Sequence, residues 1–279
     1  MPTAMRIKIR HETTHRFSEP AASALHLLRM TPRPHDGQFI RRWRVAVDAD
    51  ARLERSEDAY GNITHLVFVH GPVDHFTITI DGEVATRDTH GRLSGGVERQ
   101  PVGLFLRETA LTRVTPALRR FARQTSAGQG GDRLATMHAL MRSLHNAMTF
   151  TTRAAGDERT AGEAFDAKTG TAEDFTHIML AASRALDLPA RYVSGYYLRS
   201  DSTQQSSGHA WAEVFVDGLG WIGFDPSEGM CPTDRHVRVA IGCDAREAAP
   251  IRGAYVGGGE QDHDVAVLVE QGRAMIQDQ

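Results

Sequence analysis

The front of the chain alternates. Met5, Ile7 and Ile9 fall on every second position, as do Trp43, Val45 and Val47, and again Phe76, Ile78 and Ile80. A period of two puts successive apolar side chains on one face of a strand, so each run predicts a β-strand with one buried face. Gly61-Asn62, Gly71-Pro72 and Asp81-Gly82 are expected to punctuate the strands as turns. Leu27-Leu28, ahead of Pro32 and Pro34, predicts a further short strand. Together these runs predict an antiparallel sheet or small sandwich over residues 1–95, ending in a loop from Thr89 to Gly96.

The period then changes to that of a helix. Thr115-Pro116 reads as an N-cap followed by proline in the first helical position, with Leu118, Phe121 and Ala122 as the inner stripe. Leu134, Met137, Leu140, Met141, Leu144 and Met148 recur at three- and four-residue steps and predict a second helix, its methionines filling core. Gly128 to Gly131 separates the two helices and has no Lys-Ser/Thr, so it reads as a linker and not a phosphate loop. Thr160 and Glu163 have the spacing of a capping box. A further helix starts near Thr171, carries Phe175, Ile178, Met179, Ala182 and Leu186 on one face, and stops at Leu188-Pro189.

Strands return at Arg191–Arg199, His209–Val216 and Trp221–Phe224, with Ser200 to Gly208 as a polar surface loop and Val265, Val267 and Val269 as a last alternating run. Helices and strands come in blocks, which makes the fold class α+β and not doubly wound. The expected division is a β-rich domain over 1–95 and an α+β core over 96–279 that includes the C-terminal strands.

Composition narrows the function. With 279 residues, 41% hydrophobic and 24% charged, the chain has ample material for a core. A net charge of -3 supplies no basic field for nucleic acid, and Arg41, Arg42 and Arg44 around Trp43 read as a solvated strand face. No apolar run has the length of a membrane span. The start lacks the continuous apolar stretch of a secretion signal, which makes the cytoplasm the expected compartment. Cys231 and Cys243 have no ligand-like spacing and no expected disulfide.

The candidate chemistry lies in two segments. In "KTGTAEDFTHIML", Thr171 and Asp174 fit a capping box that makes Ala172 the first helical residue. Unpaired N–H groups and the helix dipole give that position a positive potential, where a cysteine would have a stabilised thiolate. In "SGHAWAEVFVDGLGWIGFDPSEG", His209 opens one strand and Asp225 closes the next across an Asp217–Gly220 turn. An imidazole held by a carboxylate is the base-and-orienter half of a nucleophilic triad. The partnership needs a register in which Asp225 falls opposite Trp211, diagonal to His209, and that register is expected here.

These residues resemble the bacterial transglutaminase-like family, a branch of the papain-type cysteine hydrolase and acyltransferase superfamily. The resemblance rests on Gly170-Thr171-Ala172-Glu173-Asp174-Phe175, on Leu188-Pro189-Ala190-Arg191-Tyr192-Val193-Ser194-Gly195-Tyr196, on His209-Ala210-Trp211-Ala212-Glu213 and on Gly220-Trp221-Ile222-Gly223-Phe224-Asp225-Pro226. The runs His236–Gly242 and Ala249–Gly253 look like the family's tail, and the β-rich front like its N-terminal domain. The resemblance implies a papain-type α+β core, His209 as base, Asp225 as its orienter, and Glu173 and Trp211 as ligand-contacting positions. It also implies that the family's nucleophilic cysteine corresponds to Ala172, and its next residue, Gln, to Glu173.

Without a thiol the covalent route is closed, at a cost on the order of 10⁶ in turnover. A carboxylate at Glu173 near His209 would further favour the imidazolium over the neutral base. The expectation is a pseudoenzyme that binds a peptide, glutamine-like or amide ligand, needing no cofactor and no metal. One alternative is an active cysteine protease, amidase or transglutaminase in which Ala172 replaces the cysteine by engineering; the genomic codon separates the two. Another is a metal-assisted hydrolase using Glu173, His209 and Asp225.

Overall fold

The computed structural model describes residues 4–152, 157–205 and 207–272. Residues 1–3 of the expected non-signal start, and Ser206 of the expected polar loop, lie outside the described residues. The alternating front forms β1 (Met5–Thr31), β2 (Gln38–Val47), β3 (Ala51–Glu57) and β4 (Ile63–Thr86). Next come α1 (Pro116–Ala127), α2 (Arg133–Ala147), a short β5 (Thr149–Phe150), α3 (Ala161–Ala167), a short β6 (Thr169–Gly170) and α4 (Ala172–Arg184). The remainder is β7 (Ala190–Tyr197), β8 (Gln204–Gln205), β9 (His209–Val216), β10 (Gly220–Phe224), β11 (His236–Gly242), β12 (Ile251–Gly257) and β13 (Gln261–Gln271). Among the described residues no helix is long and apolar enough to cross a membrane.

Two long strands organise the front. β1 and β4 pair antiparallel from Met5↔Thr86 to Thr31↔Ile63, with register shifts around Ala21. They form the centre of a seven-stranded sheet in the order β2-β4-β1-β13-β8, with β12 also on β1 and β3 on β4. Leu27-Leu28 is therefore part of β1 and not a separate strand. Two of the expected turns also lie inside β4. A Cβ on Gly82 would sit 2.2 Å from Trp43 Cε3, so this glycine admits an indole against the strand. A Cβ on Gly71 would sit 2.2 Å from the Ala21 carbonyl oxygen, where β1 bulges past it. Both glycines serve close approach and not chain reversal.

The last strands differ from the expected division. β12 and β13 pair with β1 in the front sheet and not with the core sheet. The cause is the alternation itself: Val267 and Val269 need an apolar partner face, and Ile7, Ile9 and Val84 supply it. The same cluster includes Tyr196, Val237 and Val239 from the core, so one apolar seam joins the two halves. Two buried amides extend the seam. Gln38 accepts the Arg238 N–H and donates to the Arg238 carbonyl, both at 2.8 Å, and Asn62 does the same with Ile241 at 2.8 Å. Each side chain thus satisfies a stretch of β11 backbone as a neighbouring strand would.

The core is an antiparallel sheet, β10-β9-β7-β11, with α4 packed on β9 and β7. Ala210, Ala212 and Val214 of β9 meet Phe175, Ile178, Met179 and Ala182 of α4, while α1 and α2 close the cluster through Leu118, Ala122, Met137 and Leu140. The alanines let the helix approach the sheet closely. The helix starts read from the sequence are present: Thr115 caps α1, and α3 and α4 each begin with a complete capping box.

Candidate active site

The tip of α4 is fixed before any chemistry is placed on it. Thr171 accepts the Asp174 N–H at 3.4 Å, and Asp174 accepts the Thr171 N–H at 2.9 Å. Asp174 is 1% exposed, and Gly170 leaves it room: a Cβ there would sit 2.6 Å from the Asp174 Cβ. The parallel bridge between β5 and β6 holds the approach to the helix. Ala172 follows, its methyl packed in the cluster that also contains Ala210, the neighbour of His209 in β9. The Glu173 carboxylate bears on Tyr192, whose phenol is pushed well up by burial first and by Glu173 and Asp174 next.

The second half is built on the β9–β10 hairpin. Its ladder begins at Gly220↔Val216 and ends at Phe224↔Ala212. One more step in this register brings Asp225 level with Trp211 and diagonal to His209, as the sequence reading required. Positive φ angles of 79° at Gly218 and 85° at Gly220 give the three-residue loop its tightness.

The two side chains meet. Asp225, with no exposure, receives His209 Nε2 at 2.5 Å on Oδ2. Its other oxygen accepts the Ser227 N–H at 3.1 Å, the Ser227 hydroxyl at 2.7 Å and the Glu228 N–H at 3.2 Å. Burial opposes its ionisation, but the charge and hydrogen bond of His209, with the hydrogen bond of His236, outweigh burial and hold the carboxyl far below the usual range. With Nε2 committed to Asp225, Nδ1 is the nitrogen of His209 left for a reacting group.

A residue to which the sequence assigns no site role completes the arrangement. His236 Nε2 lies 3.2 Å from the same Oδ2. The Thr233 N–H donates to His236 Nδ1 at 3.1 Å, so the ring proton sits on Nε2, pointing at Asp225. Burial, set against the pull of Asp225, keeps this imidazole neutral by lowering its pKa. His236 opens β11 with no motif spacing to Asp225; its only sequence signal is the family-like run it begins. Tyr197 packs tilted against both rings, with centroids 5.2 Å from His209 and 4.5 Å from His236.

Other expected site residues fall elsewhere. Trp211 is 2% exposed and meets His236 edge-on at 5.3 Å, packed against the histidine. The expected metal set of Glu173, His209 and Asp225 is not the one that converges. Among the described residues the donor group that does is His209, Asp225 and His236, within 4.8 Å. Its hydrogen bonding is of the wrong kind for a metal: a ligating histidine donates its second N–H, whereas His236 Nδ1 accepts one. Neither cysteine substitutes for the nucleophile. The Cys231 thiol is pushed up to about 11, by burial and then by Asp88, and Cys243 is fully buried near Tyr60.

Behind the site lies a buried ion network. Arg191, fully buried, donates to Glu213 at 2.6 Å and to Glu98 at 2.7 and 3.0 Å, and its guanidinium stacks 3.9 Å over Trp221. Arg238 donates to the other side of Glu213 at 2.7 Å. Burial works against Glu213 ionising, but Arg238 and Arg191 hold its carboxyl at about 2. Replacing Glu213 by alanine leaves two guanidiniums facing each other in the dark of the sheet. The expected loss is roughly 3–5 kcal/mol, measured by denaturant unfolding.

A front antiparallel sheet, and a core in which a capped helix packs on the sheet that carries a His–Asp hairpin, are the features of the transglutaminase-like class. In both its front and its core the chain is similar to bacterial transglutaminase-like proteins. The family description "Bacterial transglutaminase-like N-terminal region" matches residues 7–85, and "Transglutaminase-like superfamily" matches residues 119–226. Among relatives, the uncharacterised protein ML0607 of Mycobacterium leprae is 26% identical over 95% of this chain and 98% of its own length. The uncharacterised protein Rv2569c of Mycobacterium tuberculosis is 26% identical over 97% of this chain and 95% of its own. The fold is shared with a crystallised candidate cysteine protease from Cytophaga hutchinsonii, at a TM-score of 0.78 and 19% identity, covering 98% of this chain and 93% of that one.

Proposed function

We propose that this chain keeps the base-and-orienter half of a cysteine acyl-transfer site and uses the cleft to bind a peptide or glutamine-like amide without turning it over. The observation that carries the reading is the buried His209–Asp225 pair at 2.5 Å, kept in a chain whose helix tip bears Ala172. An active relative would pass a thiol proton to His209 Nδ1 and attack a carbonyl, with helix-tip amides receiving the oxyanion. Here the imidazole and the amides remain, and no atom at position 172 can form the acyl intermediate. What remains is polar recognition of a carbonyl at the helix tip.

The rim fits a peptide. Phe150, 40% exposed, pairs through its backbone with Gly170 beside the helix start, and the Arg199 guanidinium lies 5.6 Å from its ring. An exposed aromatic with a cation over it suits an apolar side chain next to a backbone carbonyl. Calorimetry of the chain with acetylated glutamine-containing peptides is expected to show saturable binding, weakened about tenfold by Phe150→Ala. Absence of binding to any such peptide by a folded chain would remove the reading.

A further inference from the structure

A concavity lies between the front and the core, with no α4 residue in its wall. Gly223 donates to the Gly91 carbonyl at 2.8 Å and Leu93 to the Trp221 carbonyl at 3.0 Å, so residues 91–93 are stitched along the free edge of β10. This seam borders a hollow open to solvent whose wall includes Arg87, Arg92, Arg238, His35, Glu213 and His236. Three guanidiniums line it against one carboxylate. That carboxylate is already divided: Glu213 serves both Arg238 and Arg191.

The two outer arginines have no carboxylate of their own in the hollow. Arg87 Nε donates to the Asp36 carbonyl at 2.6 Å, a neutral acceptor. Arg92 is exposed and makes no ion pair among the described residues. The neighbouring Asp88 accepts the His90 N–H at 2.7 Å and is not part of the wall. The net charge facing the hollow is therefore positive. Arg238 also makes itself felt on His35, which is lowered to about 4 by burial first and by Arg238 next. Guanidiniums converging on a small concavity favour an anion with two or three oxygens, because planar N–H pairs match that shape.

We propose that a small oxyanion binds in this hollow between Arg87, Arg92 and Arg238, against the ring of His236. The occupant is either free phosphate or the carboxylate terminus of a peptide; both present anionic oxygens to the same guanidiniums. The site uses neither Ala172 nor His209 and touches the His209–Asp225 arrangement only through His236, which shares the Asp225 carboxylate.

Calorimetry and amide NMR titrations with inorganic phosphate, acetyl-diglycine and acetyl-diglycine amide test it. Saturable binding of phosphate alone, or of acetyl-diglycine but not its amide, identifies the source and supports the site. Binding is expected to weaken about tenfold in Arg92→Gln and in Arg87→Gln, to vanish in the double variant, and to fall with added salt. Both side chains are exposed, so an unchanged thermal midpoint of the double variant without ligand shows that the fold is kept. Failure of both phosphate and acetyl-diglycine to bind, or equal binding by the double variant, overturns the proposal. Either failure leaves the glutamine-peptide titration unaffected.

Discussion

Replacing Ala172 with cysteine is expected to raise amide hydrolysis or amine incorporation by at least about 10³-fold over the unaltered chain, since deleting a nucleophile from such a site costs on the order of 10⁶. The case rests on what already stands around position 172. The capping box of Thr171 and Asp174 fixes the first helical turn, where unpaired amides and the helix dipole lower the pKa of a thiol. The Asp225 carboxylate fixes His209 through Nε2 and leaves Nδ1 to take the proton. Asp225 in turn has every oxygen engaged, so it has no cheaper partner to prefer. Turnover of a glutamine peptide, together with the pH dependence of iodoacetamide alkylation, reads the result. The double variant Ala172→Cys, His209→Ala should fall back to the parent level. A folded, alkylatable but inert Ala172→Cys protein would mean that Glu173, where the family has glutamine, has already diverted the site.

How far the sequence could be read depends on the range of the interaction. Helix starts are local: a threonine, an acid three positions on and a proline state their own geometry, and Thr115, Thr160 and Thr171 all act as written. The hairpin register was legible for the same reason, since it turns on the few residues between Val216 and Gly220. Glycines were not. Gly82 and Gly71 look like turn residues in isolation, and only Trp43 and Ala21, far off in the chain, give them their use. The return of β13 to the front was invisible because an alternating strand names the face it buries and not the sheet it joins. His236 was missed for a related reason. Its role needs Thr233 to fix its tautomer and β7 to bring it beside Asp225; the first is a three-residue turn that carries no chemical signature, and the second has no spacing in the chain.

Acidification is expected to destabilise the protein before its carboxylates titrate. His11, His15, His26, His35 and His177 are each lowered to about 4, in every case with burial as the leading cause. Their surroundings differ. His11 meets Tyr196 and Thr13; His15 stacks on Phe76 and His26 meets it edge-on, with His263 and Gln261 against His15. His177 accepts the Ala245 N–H, and Asp244 and Asp174 raise its pKa without overcoming burial. A histidine whose folded pKa lies below its unfolded value of about 6.5 binds more protons unfolded than folded between those two values. Its stabilising contribution is thus complete above about pH 6.5, falls as the pH drops, and is exhausted below the folded value. For His11 and His177 alone the loss by pH 5 is about 2 kcal/mol each, a large share of the 5–15 kcal/mol that holds a typical domain. The depressed carboxyls of Glu213 and Asp225 act lower, their contribution being lost only as pH falls below about 4. Thermal melts followed by circular dichroism should therefore show the midpoint falling by about 10 °C between pH 7 and pH 5. Proton uptake on unfolding at pH 5 should be several per molecule, and His11→Gln should remove up to one of them. Unfolding at pH 5 without net proton uptake would show that these imidazoles are charged in the native state, which their apolar surroundings could not sustain.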